Sequence, residues 1–427
     1  MIKVFKFLSH HKISLLIITL FLITRAYIWF NPPINFTEII YSYMPYAHLW
    51  ASGVRPYLDQ WYEYPPVTIP LFYLPHIIDQ ATYGSFWHIN YLQVYRSLLF
   101  LIDISIFYVL WQSIIRLGIK SKFRLISLSY YCLLTALASH FIYDTMDWVF
   151  AGALVLSVAP PLWTHSGIKT KINSTIASFQ NWLGFWLAVG LKLLNGPLGL
   201  PLILLQRKKW PIQWLMLILT GGIIWGLPLL LFRSSLSVMF VYHQIRGLQV
   251  DSFMAIIVRI MNGFSNSESV IEVYKNYEMA GPISSMALRF LSWFFPLAII
   301  LFVGWTSKQA WQIATRKKDH QVFRLSITLG FVFLLMIISK VLSHPFVLWH
   351  IPLLAMLPYF NFKQQLKFII PSIIAVSVTV IAVPDIPIGI ISTATLVGII
   401  RSLVFFWLLI EWFKWHRWRF NSKSLLP

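Results

Sequence analysis

Apolar residues in this chain run in long unbroken stretches, and polar residues are confined to the gaps between them. Neither a strand alternation nor an amphipathic helical spacing describes such stretches, but membrane helices do. Taking about 20 mainly apolar residues as one crossing, the pattern predicts spans near 13–30, 90–115, 124–142, 147–163, 174–191 and 193–206. Further spans are predicted near 210–232, 286–306, 322–341, 345–360, 366–383 and 387–413. The expectation is an all-α polytopic membrane protein, one transmembrane domain over 1–427 with about 12 helices. The first run ends without a small-residue cleavage site, so it reads as a retained span and not a signal peptide. Two gaps are long, 31–89 and 233–285, and long ordered connections carry function more often than short ones. Within the first, the segment from Pro65 to Asp79 is apolar but short and holds Pro65, Pro66, Pro70 and Pro75. It is expected to be re-entrant or interfacial.

Composition agrees with a lipid solvent. Hydrophobic residues make up 58% and charged residues 11%, against about 25% charged in ordinary soluble domains, and mean hydropathy is +0.70. The formal charge of +20 would raise the question of nucleic acid in a soluble protein. Here the cations form short clusters between spans: Arg116 to Arg124, Lys169 and Lys171, Arg207 to Lys209, Arg316 to Lys318, Lys363 and Lys367, and Lys414 to Arg419. One topology with both termini cytoplasmic puts every cluster on the inner side, as the positive-inside rule asks. Membrane lipids are therefore the expected partners, and nucleic acid is not. The same topology sends most acids outward, namely Glu38, Asp59, Glu63, Asp79, Asp144, Asp147, Asp251, Glu268, Glu272, Glu278 and Asp385, and leaves Asp319 and Glu411 inside. Cys132 is the single cysteine, which excludes an internal disulfide and a thiolate metal cluster. No metal ligands and no cofactor are expected.

Candidate chemistry gathers on the outer side. The first loop packs Arg55, Tyr57, Asp59, Glu63 and Tyr64 among prolines. Aromatic faces stack on sugar rings and carboxylates accept hydroxyl protons, although a rigid aromatic belt fits the composition equally well. Asp59 and Glu63 could equally pair with Arg55 as a local salt bridge. Asp144 and Asp147, three apart, share a face if the helix continues, and either orient an acceptor or complement a helix dipole. Lys192, Arg246 and Lys340 are outer cations that run against the charge bias, which suits phosphate contact; helix-end snorkelling is the alternative. His243, His344 and His350 are candidate phosphate donors, or structural histidines. Arg25 and Asp103 are charges inside predicted spans, and Asp103 should face the bundle interior with Arg96 as partner.

Several of these stretches resemble the membrane mannosyltransferases of glycosyltransferase family 87, within the C-type (GT-C) enzymes. The carriers are Gly53-Val-Arg-Pro-Tyr-Leu-Asp59 with Glu63-Tyr-Pro-Pro66, His140 to Asp147, Gly190 to Pro197, His243-Gln-Ile-Arg-Gly-Leu-Gln249, and Lys340-Val-Leu-Ser-His-Pro345 with Trp349. They span about residues 25 to 360 in the family's order. Where Glu38 stands the family usually has Asp, and His344-Pro-Phe346 fits its pattern loosely. The resemblance implies a GT-C-like bundle with interfacial helices on the long outer loops, in a bacterial cytoplasmic membrane. It implies transfer of a hexose, mannose by family, from a polyprenyl-phosphate sugar to a glycolipid or glycan acceptor. Glu38 is then the base; Gln249 and Trp349 join the first-loop residues and Asp144 and Asp147 in binding substrate. Lys192, His243, Arg246, Lys340, His344 and His350 contact the donor phosphate. A departing phosphate already carries negative charge, so it needs cations and not a general acid, and one carboxylate suffices for inversion. A secondary transporter or flippase is the competing reading, on the two Pro-broken Lys hairpins, and a glycan polymerase or ligase shares the topology.

Overall fold

The structure is a computed structural model that describes residues 2–32, 38–162, 171–265, 267–273, 276–316, 319–382 and 393–421. Lys169, Lys317, Lys318 and Asp385, named above, lie outside the described residues. In chain order the helices begin with α1 (Ile2–Phe30), α2 (Met44–Ala51), α3 (Thr68–Thr82), α4 (Tyr91–Arg116), α5 (Ser121–Leu137) and α6 (Ser139–Ile142). Next come α7 (Asp147–Val158), α8 (Lys171–Leu191), α9 (Gly199–Leu205), α10 (Trp210–Phe232), α11 (Ser237–Ile245) and α12 (Phe253–Ser265). The last are α13 (Pro282–Ile313), α14 (His320–Ile338), α15 (His350–Ala355), α16 (Phe362–Ala382) and α17 (Thr393–Asn421). The all-α polytopic expectation holds.

Among the described residues 7 helices are long and apolar enough to cross a membrane. The predicted spans 193–206 and 345–360 are instead broken pieces: 3-10 turns at Leu193–Leu198 and His344–Leu348 precede the short α9 and α15. Pro197, Pro345 and Pro352 account for the breaks, since proline lacks the N–H and crowds the preceding turn. The segment α7 is also short, at 12 residues. In the first loop, α3 has 15 residues, roughly 22 Å at 1.5 Å each, below the roughly 30 Å of a hydrocarbon core.

Burial separates an inner helix from peripheral ones. The apolar window of α14 is 83% buried, whereas that of the segment Arg207–Ile245, which contains α10, is 11% buried and offers its surface to lipid. Glycines set the closest contacts. A Cβ on Gly184 of α8 would come 2.4 Å from the Ser157 nitrogen, so α7 and α8 approach backbone to backbone. Gly330 of α14 makes room for the Trp412 ring of α17, whose Nε1–H donates to the Ser326 carbonyl at 2.8 Å. The second long loop also folds an element that apolar runs did not foretell. It is a three-stranded antiparallel sheet of β1 (Leu248–Gln249), β2 (Ser269–Val273) and β3 (Asn276–Ala280), ordered β1-β3-β2. Its apolar face, with Leu248 and Met279, packs with Ala255 and Val258 of α12 and Leu291 of α13.

The intramembrane charges pair differently from expectation. Arg25 of α1, not Arg96, meets Asp103: Nε to Oδ2 is 2.7 Å and Nη2 to Oδ1 is 2.9 Å, with both residues buried. Tyr131 and Tyr143 add O–H donors to the same carboxylate at 2.6 and 2.9 Å. Seven residues along a helix is about 10 Å of rise, too far for Arg96 to reach Asp103 on its own helix. Arg96 turns instead to the Ile28 carbonyl at 3.4 Å and to Asp144, 4.0 Å away.

Candidate functional site

The site is assembled at the ends of α7, α8 and α14, opposite the end where Arg419 pairs with Asp319 and Lys367 with Glu411. After residue 38 the chain enters a π-helical turn, Ile39–Tyr43, and runs straight into α2. Such turns recur at functional sites because the wider backbone re-aims side chains. Glu38 stands at the start of this turn. Its side chain keeps accessible surface, yet loss of hydration is the largest influence on its carboxyl. That influence raises its pKa above the ordinary glutamate range. The Asp147 charge pushes the same way, while a hydrogen bond from Ser42 and the Lys192 ammonium oppose it.

The partners of Glu38 come from elements far apart in sequence. Asp147 opens α7, where a carboxylate complements the helix dipole. Its Oδ1 takes an ion pair from Lys192 Nζ at 3.0 Å and a hydrogen bond from Trp349 Nε1–H at 2.8 Å. Lys192 lies just past the end of α8, where the following Asn-Gly-Pro sequence stops the helix. Its ammonium sits over the Phe346 ring at 4.2 Å and the Trp349 ring at 5.4 Å, two rings stacked at 4.1 Å. A cation held by one carboxylate and two ring faces is positioned, not snorkelling. Asp144 does not share its face, contrary to the expected pair. The chain turns between α6 and α7, and Asp144 is left with Arg96 and with neither oxygen hydrogen-bonded among the described residues. Burial pushes its carboxyl up to about 7.

Glu63 and Tyr64 reach the same place. Tyr57, at a left-handed φ of 65°, donates its O–H to the Tyr64 carbonyl and so folds the loop back. Glu63 Oε2 accepts from Tyr46 at 2.6 Å, and the His243 ring bonds the Glu63 backbone. Arg246, Lys192 and Lys340 all act electrostatically on His243, which places these cations around one centre. Arg246 faces Glu278 of β3 at 3.6 Å, and the same carboxylate accepts the Gly247 N–H at 2.9 Å. A Cβ on Gly247 would come 2.4 Å from the Glu278 Oε2, so a side chain there would push the carboxylate away from the Gly247 N–H. The Lys340 ammonium donates to the carbonyls of Gln244 and Arg246 at 3.1 and 2.5 Å, closing the end of α11. Burial and the Arg246 charge hold its pKa below the usual lysine range. The loops that carry the family resemblance therefore touch: Gln249 N–H donates to the Lys340 carbonyl at 3.0 Å, and Gln249 Nε2 to Ser343 at 3.4 Å.

Other candidates stand apart. Arg55 and Asp59 form an exposed bidentate pair at 2.9 Å with each other, and that pairing draws the Asp59 carboxyl down to about 2. His344 lies 3.7 Å from Asp251, which also meets Arg401 at 3.5 Å. His350 is fully buried against Ser372, 2.6 Å away, between Phe333 and Phe405. Among the described residues no three His, Cys, Asp or Glu side chains converge as metal ligands. The sequence reading missed Tyr46, Phe346 and Ser42, whose types are too common in such loops to stand out, and Arg401, which an isolated arginine in an apolar run could have flagged.

No family model matches the chain, and no curated protein does either. Among solved structures it is similar to crystal structures of ArnT from Cupriavidus metallidurans. The one bound to undecaprenyl phosphate matches at a TM-score of 0.47 and 13% identity, over 93% of this chain and 76% of the other. The apo state matches at 0.41 and 14%, over 92% and 76%.

Proposed function

We propose that this chain is a membrane glycosyltransferase of the GT-C type that moves a hexose, mannose by family resemblance, from a polyprenyl-phosphate donor. The acceptor is a glycolipid or glycan hydroxyl on the extracytoplasmic face of a bacterial cytoplasmic membrane, with both termini cytoplasmic. The observation that carries this reading is the meeting of Glu38 with Asp147 and Lys192, beside Glu63, His243 and Arg246. Acids and cations from four separate stretches converge at the end of the bundle that the charge pattern assigns to the outside.

In the proposed reaction the acceptor oxygen attacks the anomeric carbon as its proton passes to Glu38. The bond from that carbon to the phosphate oxygen breaks, and polyprenyl phosphate leaves with the electron pair. Inversion follows from a single displacement. Lys192 and Arg246 hold the leaving phosphate, and preorganised cations in a partly dehydrated site stabilise developing charge strongly. Asp147 and Trp349 position Lys192, while Glu63, Tyr46 and Tyr64 offer hydroxyl-binding and stacking surfaces. A raised Glu38 pKa makes it a better base than an exposed carboxylate. Glu38→Gln should abolish sugar transfer while expression and melting temperature stay near wild type; retained transfer removes Glu38 from the role.

A further inference from the structure

The connection between α3 and α4 turns its apolar side chains outward. Phe86 is 91% exposed and Trp87 77%, and Tyr83 beside them is exposed as well. Grouped exposed aromatics mark a surface that something apolar covers. Their presentation is built into the backbone. Asp79, near the end of α3, holds the far side of the turn: its Oδ1 lies 2.8 Å from His88 Nε2, and its Oδ2 accepts the Tyr91 N–H at 3.0 Å. Thr82 Oγ1 accepts the Ile89 N–H at 3.2 Å, and the Ser85 hydroxyl donates to the Thr82 carbonyl at 2.7 Å. Gly84 supplies the left-handed φ of 74° that reverses the chain. At the tip the Phe86 and Trp87 rings meet edge to face, with centroids 5.1 Å apart. Polar groups are thus tied together at the neck, and two rings project from a closed clasp.

Position, charge and continuity all point to lipid as the cover. Asn90 caps α4 through reciprocal bonds with Gln93 at 3.0 and 3.1 Å, so the clasp ends where a membrane span begins. The 26 residues of α4 rise roughly 39 Å, against roughly 30 Å of hydrocarbon, so the ends of this helix reach the headgroups and the clasp stands beside one of them. Tryptophan and tyrosine favour that level. From Gln80 to Asn90 the chain has no Lys, Arg, Asp or Glu, which leaves a charged protein surface nothing to pair with. The outer side of α3 continues the patch, since Pro70, Leu74, Ile77 and Ala81 are exposed at helical spacing. Its other side, Thr68, Phe72 and Pro75, is buried. There Phe72 stacks on Tyr43 at 4.1 Å, and the Thr68 and Tyr62 hydroxyls lie 2.6 Å apart, next to Glu63 in the first loop.

We propose that the clasp inserts Phe86 and Trp87 into the headgroup–acyl boundary of the bilayer and anchors α3, and with it the first loop, at a fixed height on the membrane. This anchoring does not depend on the transferase reading. The test attaches a nitroxide at Trp87→Cys or at Ala81→Cys in the full-length protein, in liposomes of phosphatidylglycerol and phosphatidylcholine. Cys132 is buried, and unsubstituted protein carried through the same labelling is the blank. Relaxation of the nitroxide by oxygen, which concentrates in lipid, is compared with relaxation by a neutral nickel chelate, which stays in water. Oxygen should dominate at both positions. Adding Phe86→Ser and Trp87→Ser to the Ala81→Cys protein should lower the oxygen-to-nickel ratio at position 81 severalfold, with the melting temperature in detergent unchanged. Nickel dominance at position 87 would overturn the proposal, whatever the double variant does. Access by neither reagent would also overturn it, by assigning the tip to a protein surface. An unchanged ratio at position 81 in the double variant would overturn the anchoring role.

Discussion

A carboxyl surrounded by protein holds its proton more tightly than one in water, and Asp144 displays this with few opposing contacts. Its one charged partner among the described residues, Arg96, is 4.0 Å away, and burial raises its pKa to about 7. The folded state therefore binds this proton more strongly than the unfolded chain, whose aspartates titrate near about 3.9. The resulting stabilisation is complete below the unfolded value and is lost as pH rises through the folded one. Asp144→Asn cannot ionise, so its melting temperature relative to wild type should climb between about pH 4 and about pH 7 and level off above. Whatever it costs to leave Arg96 without its carboxylate is the same at every pH, so the slope is the readout, and a flat difference would contradict the shift. Glu38 is raised in the same direction, and in the proposed reaction a base with a higher pKa would bind the acceptor proton more firmly. The charge pattern expected both acids on one side of the membrane, opposite the basic clusters. It did not separate their roles, because the turn before α7 that parts Asp144 from Asp147 has no proline or glycine to mark it.

Helices were legible in proportion to their length. The predicted span 210–232 coincides with α10, Trp210–Phe232, because Lys209 and Arg233 bound an uninterrupted apolar run. The 3-10 turns after Lys192 and before Trp349 read as membrane spans only because their residues are apolar; their prolines were the better guide. Strands of 5 residues or fewer leave too little alternation to detect in a chain so rich in apolar residues. Close helix contacts were not legible at all, since a glycine in an apolar run gives no sign of what it faces. Gly184 shows what that contact is worth. Gly184→Ala would drive a methyl to 2.4 Å from the Ser157 nitrogen, against backbone that cannot rotate away. It should destabilise the protein by about 1–3 kcal/mol as overpacking does, read as a lowered unfolding midpoint; an unchanged midpoint would show that α7 and α8 separate freely.

At the scale of the molecule, two ends of one bundle carry opposite chemistry. One gathers Glu38, Glu63, Asp147, Lys192 and Arg246 from loops and helix ends scattered over the chain. The other gathers Lys367 and Lys414 around Glu411, and Arg419 on Asp319. Between them the Arg25–Asp103 pair, with Tyr131 and Tyr143, ties α1 to α4 and α5 inside the apolar interior. Buried pairs of this kind fix which helices meet more than they add stability. The alternation of basic clusters with apolar runs was legible along the chain; the convergence at the acidic end was not, since spacing along a chain says nothing of which loops touch. The most direct test of the transferase reading is to supply purified protein in proteoliposomes with radiolabelled polyprenyl-phosphate mannose, in parallel with glucose, and a mixture of lipid acceptors. The prediction is that label appears covalently on an acceptor, with the anomeric configuration inverted and polyprenyl phosphate released. Label that stays on its carrier, or crosses the bilayer on an unmodified carrier, would contradict it.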